Sequence, residues 1–262
     1  MRFLLVELTL LAVATTAHAG ADDLTIVSSH SNNGAPGAKT TSYMASDHVR
    51  MASGDGNETL IDLKTGVMTV LQGKKKTYFT VTKQDLEQLK VKMQERMNDP
   101  EMKKGMEFMN GMAGAVAGSY EVKKTGVTRT VAGYSCEEWT IGMAGFSTTR
   151  ECLTSALQYP AHAFDAFKEF SQTMQSVMGS FGPMAKAGAD LAEKLKAMKG
   201  FPVATSTVIE IMGTKRSMES EVVEVRRGDI PASAWELPAG YTRVDNPMLK
   251  AFDRGGHAPS TS

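Results

Sequence analysis

The sequence lacks most of the features that identify an enzyme or a membrane protein. It contains no H-E-x-x-H, G-x-S-x-G, P-loop or G-x-G-x-x-G motif, and its histidines are widely scattered. Beyond the first residues, no apolar run approaches the ~20 residues that a membrane-spanning helix needs. The chain also lacks net charge, with 29 basic and 29 acidic residues, which argues against nucleic acid as a partner. We therefore expect no enzymatic activity, no cofactor and no transmembrane anchor.

Cysteine is nearly absent too, and Cys136 and Cys152 are the only two in the chain. Both lie in a segment rich in β-branched and aromatic residues that predicts a β-hairpin. They are equally distant from Ala144, so a turn at Gly142–Gly145, or one residue longer, would place them directly opposite each other on two antiparallel strands. A structural disulfide is favoured over a redox pair, because redox cysteines usually have C-x-x-C spacing.

The predicted hairpin register has a second consequence, because it also places Glu137 opposite Glu151. Two facing carboxylates can divide the roles of acid and base. A solvated face, partly neutralised by Arg150, is the favoured interpretation.

The two tryptophans, Trp139 and Trp235, are interpreted as core anchors rather than as platforms for a stacked ligand.

The first residues predict a secretory signal. Arg2 supplies the positive charge, residues 3–14 are mostly apolar apart from Glu7, and Ala17-His18-Ala19 fits the small-x-small rule for cleavage. We expect residues 1–19 to be a signal peptide, with a buried N-terminal strand or helix as the alternative. Together with one disulfide, this signal indicates the bacterial periplasm, and a secreted product is the alternative location.

Strands and helices alternate in blocks along the rest of the chain. Residues 28–39 predict a loop, Thr40–Met51 one strand, and Glu58–Val81 an antiparallel meander. Thr82, followed by Asp85, predicts the start of a helix. Strands resume from 120 to 152, residues 153–200 predict helices, and two strands follow. We expect residues 20–250 to form a single α+β domain and residues 251–262 a disordered tail.

Methionine is the one residue type in marked excess, with 18 in the chain. Ordinary core packing is the favoured interpretation, because methionine fills irregular interiors. A second interpretation is an apolar cavity for an acyl chain, lined by Met93, Met97, Met106, Met109, Phe164, Phe167 and Met174. A third is a Cu(I) site, because thioethers are soft ligands and one helical face carries Met102, Met106, Met109 and Met112.

Several short motifs carry a family resemblance. They are the Val131–Cys136 strand, the second cysteine Cys152, the Gly200–Val203 strand and the Leu237–Tyr241 segment. The chain resembles an uncharacterised family of bacterial envelope proteins known as a domain of unknown function (DUF4412). The order of its elements is similar to that of LolA/LolB-type lipoprotein carriers. This likeness implies an α+β fold in which a curved antiparallel sheet, a half-barrel, packs on amphipathic helices.

These observations lead to three hypotheses about function. The first is a periplasmic, non-catalytic binding protein that holds a lipid or the acyl chain of a lipoprotein between sheet and helices. The second is a methionine-rich, copper-binding envelope protein. The third is a structural envelope protein that binds a partner chain, and the sequence leaves its oligomeric state open.

Overall fold

The computed structural model describes residues 23–97, 120–143, 146–160, 190–211 and 213–253. Two helices have defined bounds, α1 (Lys83–Met97) and α2 (Pro247–Asp253), and residues 190–195 are also helical. The strands are β1 (Leu24–Asn32), β2 (Ala35–Pro36), β3 (Thr40–Met44), β4 (His48–Ser53), β5 (Asn57–Asp62), β6 (Val67–Gln72), β7 (Thr77–Val81), β8 (Tyr120–Val131), β9 (Tyr134–Met143), β10 (Ser147–Thr154), β11 (Phe201–Ile211), β12 (Thr214–Arg227) and β13 (Thr242–Arg243).

All thirteen strands belong to one open sheet. Its order is β13-β7-β6-β5-β4-β3-β1-β12-β11-β10-β9-β8, with β2 paired to β1. Every pair is antiparallel except β13 with β7. The first and last long strands, β1 and β12, meet near the middle, so a meander lies on each side of this junction. The predicted fold class, an α+β fold with a curved antiparallel sheet, is confirmed.

The N-terminal meander follows the sequence pattern with two differences. The strand predicted from Thr40 to Met51 is two strands, because Ala45 donates its N–H to the carbonyl of His48 and closes a tight turn. The predicted loop from residue 28 is wrong in its first part, since β1 continues to Asn32 and pairs with β12. Serine, asparagine and histidine side chains there suggested a loop, but cross-strand pairing decides the outcome.

The start of α1 is as predicted. The Thr82 hydroxyl accepts a hydrogen bond from the N–H of Asp85 at 3.1 Å, and the Asp85 carboxylate accepts one from the N–H of Thr82 at 2.7 Å. These reciprocal bonds satisfy two donors at the helix N-terminus. Leu86 of α1 then packs on Phe79 and Val81 of β7, beside Met248 of α2. This small cluster anchors both helices to one end of the sheet.

The larger hydrophobic cluster lies where the two meanders meet. It includes Leu24 and Ile26 of β1, Val222 of β12 and Val203 of β11, all at most 5% exposed. Residues that the sequence assigns to a helix after Cys152 belong to this region instead. Leu153 lies within β10, and Leu157, a member of the cluster, is 1% exposed in an irregular connection. Burial of this apolar surface is the main stabilising contribution at the centre of the sheet.

The C-terminal segment packs across the N-terminal meander. A short 3-10 helix (Ala232–Trp235) lies against β4, where the Trp235 ring contacts His48 with ring centroids 5.3 Å apart. Buried Arg50 donates to the carbonyls of Ala234 at 2.6 Å and Glu236 at 2.9 Å. Further on, α2 contains residues 251–253, which the sequence analysis placed in the tail; residues 254–262 lie outside the described residues.

Candidate ligand-binding site

The disulfide is present, but the hairpin register differs from the predicted one. Cys136 and Cys152 are bonded with their Cα atoms 5.3 Å apart, and both are at most 3% exposed. Cys152 is opposite Glu138, not Cys136. The two cysteines are therefore diagonal neighbours, a geometry that a twisted sheet also permits. Their burial fits a structural disulfide, because reactive thiols are partly exposed.

The position of the turn explains this difference. Phe146 donates its N–H to the Met143 carbonyl at 2.9 Å, and Ser147 pairs with Met143. The turn thus lies one residue further along the chain than Gly142–Gly145. Moving the centre of a hairpin by one residue changes every cross-strand partner by two, which preserves the face of each side chain.

The predicted facing pair of carboxylates is consequently wrong. Glu137 is opposite Leu153 and forms an ion pair with Lys124 at 2.7 Å. Glu151 is opposite Trp139, and burial raises the pKa of its carboxyl group. The two groups therefore occupy different surroundings, and no acid–base pair forms between them.

The β8–β12 half of the sheet is strongly curved. Arg129 of β8 contacts Glu221 of β12, with Nη1 3.3 Å from Oε2, although three strands lie between them. In a flat sheet four strand spacings of about 4.8 Å would separate the two backbones by about 19 Å, more than the two side chains can bridge. The sheet must curl to bring them together, and the face that carries them is concave.

This curl encloses a cavity of about 500 Å³, hereafter the charged cavity. Most of its lining side chains come from alternate residues of neighbouring strands, which share one face of a sheet. The buried disulfide lies at its base through Cys152. The charged lining residues are Arg129, Glu138, Arg150, Glu219 and Glu221.

Some of these charges are paired and others are not. Arg129 is paired with Glu221, and the Ser31 hydroxyl donates to Glu219 at 3.0 Å. Within the described part of the chain, the side chains of Glu138 and Arg150 form no hydrogen bond or ion pair. Glu138 is half-buried and Arg150 is exposed at the opening. One anionic and one cationic group therefore face the cavity without a partner.

A second cavity of about 450 Å³ adjoins the first. Thr140 and Thr148, which line it, are the next residues on the same face after Glu138 and Arg150. It too carries both signs of charge, through Lys123 and Glu121, 2.9 Å apart, and through Lys215 and Glu210 at 3.5 Å. The concave face is thus a polar groove, named here the charged groove, that runs along the strands through both cavities.

One buried nitrogen near the cavity has no hydrogen-bond partner among the described residues. It is Nε2 of His30, which lies between Ser29 and Ser31 on β1. Because successive side chains of a strand point to opposite faces, the His30 ring lies on the face opposite to Ser29 and Ser31 and is not part of the cavity wall.

The residues that the sequence predicted as ligand-binding cannot be assigned to this site. Met93 and Met97 belong to α1, but their side chains are outside what the structure describes. The other proposed lining residues, Met106, Met109, Phe164, Phe167 and Met174, lie outside the described residues. So do the remaining methionines of the copper alternative, Met102 and Met112, and the predicted signal peptide, residues 1–19. These hypotheses stay predictions.

Other features of the described ranges bear on the alternatives. Among the described residues there is no group of three or more His, Cys, Asp or Glu placed to bind a metal ion. No helix in these ranges is long and apolar enough to span a membrane.

The two tryptophans contribute to packing. Trp139 is 8% exposed, and the Lys124 ammonium lies 5.3 Å from the centre of its ring. Trp235 packs against His48 of β4.

Sequence reasoning missed the charged groove for a physical reason. Its side chains come from six strands, β1 and β8 to β12, and only the pairing of those strands brings them together. One signal was available, because Glu138, Thr140, Thr148 and Arg150 alternate with the residues of the opposite face. That period of two shows which residues share a face, but it does not show that the face is concave.

Comparisons with known proteins give a family and distant structural likenesses. A family model described as Domain of unknown function (DUF4412) matches residues 32–241. No protein of curated function matches the sequence. An uncharacterized conserved protein from Thermus thermophilus is similar in structure, with a TM-score of 0.44 and 8% identity, over 86% of this chain and 91% of that chain.

Other solved structures are similar over only part of their length. MucB gives a TM-score of 0.40 and 11% identity, over 84% of this chain and 59% of that chain. The MucA/MucB complex of Pseudomonas aeruginosa gives 0.42 and 11%, over 85% and 56%. This chain spans 33% of PNGF-II, another similar structure. Likeness at this level carries no argument about activity or partners.

Proposed function

The chain belongs to the DUF4412 family, and we propose that it is a non-catalytic binding protein of the bacterial periplasm. The observation that supports this proposal is the charged cavity, whose volume of about 500 Å³ is within the ~300–1,000 Å³ typical of ligand sites. Its walls are regular strands, and a buried disulfide links two of them. A rigid wall of this kind limits the entropy lost on binding.

The compartment is part of the same proposal. The Cys136–Cys152 disulfide is buried between β9 and β10 and contacts the main hydrophobic cluster. A structural disulfide in this position is favoured in an oxidising compartment. The predicted signal peptide at residues 1–19 would deliver the chain there.

The ligand is the finer part of the proposal. An acyl chain or a lipoprotein, held by the methionine and phenylalanine residues named from the sequence, rests on helical spacing alone. The charged cavity is lined mainly by charged and hydroxyl side chains, and this chemistry favours a polar ligand there, although the adjoining cavity also carries Met143, Phe146 and Val208. A lipid would therefore bind at a different surface from the charged groove.

Native mass spectrometry of the protein exported to a periplasm tests this function. We expect added mass that organic or acidic extraction releases, and lipid, peptide and copper each give a different mass. The control is the same chain with Ser206→Trp, which fills the charged cavity from a half-buried position opposite Arg150. If the control variant still carries the added mass, the ligand binds outside the charged cavity. If the exported protein carries no added mass, even after incubation with periplasmic extract, the proposal is contradicted.

A further inference from the structure

Two opposite charges in the charged cavity lie close together and remain unpaired. Glu138 is opposite Cys152, and Arg150 is opposite Thr140. Glu138 and Arg150 are therefore diagonal neighbours in the same sense as Cys136 and Cys152, whose Cα atoms are 5.3 Å apart. Diagonal neighbours on one face of a sheet are typically about 7–8 Å apart, which the long side chains of Glu138 and Arg150 can span, yet within the described residues neither forms an ion pair. The neighbouring Arg129 and Glu221 do pair, so exposure to solvent alone does not explain the difference.

The lining of the groove disfavours several classes of ligand. Nucleic acids and other polyanions would meet the carboxylates of Glu138, Glu219 and Glu221, which repel phosphate. Nucleic-acid bases usually stack on large aromatic rings, and the described residues that line the charged cavity include no Phe, Tyr or Trp, while the adjoining cavity has one, Phe146. An acyl chain would leave the charged groups without water or a partner. A ligand with both a carboxylate and a cationic group satisfies Glu138 and Arg150 together.

The shape of the site indicates an extended ligand. The charged cavity continues into the adjoining cavity along the same rows, from Glu138 to Thr140 and from Arg150 to Thr148. Two residues along a strand advance about 6.6 Å, so the two cavities together match several residues of an extended chain. Peptides supply both signs of charge at this spacing, because neighbouring side chains of an extended peptide lie a few ångströms apart.

We propose that the charged groove binds an extended peptide segment in which acidic and basic residues lie close together. Arg150 pairs with the carboxylate of the peptide, and Glu138 pairs with its ammonium or guanidinium group. This inference rests on the proposed function, since it names the ligand class of the same cavity. Recognition is through side chains, because the backbone groups of β9 and β10 are already paired with neighbouring strands.

A pool of blocked random hexapeptides tests the inference. The disulfide-bonded protein is incubated with the pool, and the retained peptides are sequenced by mass spectrometry. We expect enrichment of peptides that carry both Asp or Glu and Lys or Arg. Arg150→Gln should remove the enrichment of acidic residues, and Glu138→Gln should remove that of basic residues. For one enriched peptide, each substitution should weaken binding about tenfold to a hundredfold, as expected for a lost charge-assisted hydrogen bond.

The control is Arg226→Gln, which removes an arginine of β12 that pairs with exposed Glu224 and does not line the groove. It should leave both the selection and the affinity unchanged. Retention of peptides without charge preference, or selection that survives both groove substitutions, would overturn the inference. In that case a ligand seen by native mass spectrometry would still support the proposed function. Circular dichroism of each variant checks that the sheet is intact.

Discussion

Arg50 provides the most direct test of how the C-terminal segment is held on the sheet. The residue is 7% exposed, and its Nε donates to the Glu58 carboxylate at 2.7 Å. Its Nη1 donates to two carbonyls of the 3-10 segment, at 2.6 and 2.9 Å. One buried cation thus links β4, β5 and residues 232–236. Arg50→Met keeps most of the side-chain volume and removes all of these bonds.

The expected loss of stability in Arg50→Met depends on the Glu58 carboxylate and the two carbonyls that lose their hydrogen-bond donor. Removing one partner of a buried ion pair costs about 3–5 kcal/mol, because the other charge is left without compensation. The Glu58 side chain is 16% exposed, and the released carbonyls can bind water if the segment lifts. We therefore expect the lower end of this range, about 3 kcal/mol of unfolding free energy.

Urea unfolding measures this loss, and Trp235 fluorescence reports on the segment itself. Trp139→Phe removes the other tryptophan of the chain, so all variants are compared in that background. Because the ring of Trp235 packs on His48, release of the segment should shift its emission to longer wavelength before the sheet unfolds. In the double variant Arg50→Met, Glu58→Met, at least half of the loss should be recovered, since the orphaned carboxylate is gone.

Arg226→Met is the matched control, because its ion pair with Glu224 is more than half exposed on both sides. Such a pair contributes about 0–1 kcal/mol. If Arg50→Met changed the unfolding free energy no more than this control and left the emission unchanged, Arg50 would not hold the segment. The reasoning from burial and carbonyl contacts would then be refuted.

Three further predictions concern the sheet. Replacing both Cys136 and Cys152 by serine should lower the unfolding free energy by about 3 kcal/mol, the chain-entropy value for a loop of this size; an unchanged urea midpoint would contradict it. Glu151→Gln should raise stability near pH 7 and have no effect near pH 3, because burial raises the pKa of Glu151, so that its ionised form is disfavoured in the folded state. Equal effects at both pH values would refute this explanation. Gly73→Ala should lower the unfolding free energy by about 2 kcal/mol or more, since the new Cβ would lie 2.3 Å from the Gly56 carbonyl oxygen. Gly142→Ala is the control: a Cβ there meets open space, so the loss in the same urea assay should be less than half as large.

The sequence predicted those elements whose signals are local. Thr82 and Asp85 form their reciprocal bonds because both partners lie within one turn of the chain. The strand from Thr77 to Val81 has the predicted bounds, since a tight turn at Gly73–Lys75 precedes it and the Thr82 helix cap follows it. The hairpin of Cys136 and Cys152 was also recognisable from its composition.

Errors arose where a distant partner decides the structure. Residues 28–32 are polar and resemble a loop, but β12 supplies a full set of partners for their backbone groups. Leu153 and Leu157 have helical spacing, yet Leu153 belongs to β10 and both side chains are buried. The predicted pairing of Cys136 opposite Cys152 was wrong for a more local reason. Two glycines near a turn do not show which residue closes the turn. Phe146 donates its N–H to the Met143 carbonyl, and Met143 pairs with Ser147.

Curvature explains why the candidate site was beyond sequence reasoning. Alternation places Glu138 and Arg150 on one face of the hairpin, and a flat sheet would present them to solvent as ordinary surface charges. The contact between Arg129 and Glu221 shows instead that β8 approaches β12 across three strands. Sheet curvature depends on the summed twist and the bulges of all five strands, such as the register shifts in β8 and β10. The same charges therefore become the lining of a concave groove, and their binding role depends on a property that no single strand encodes.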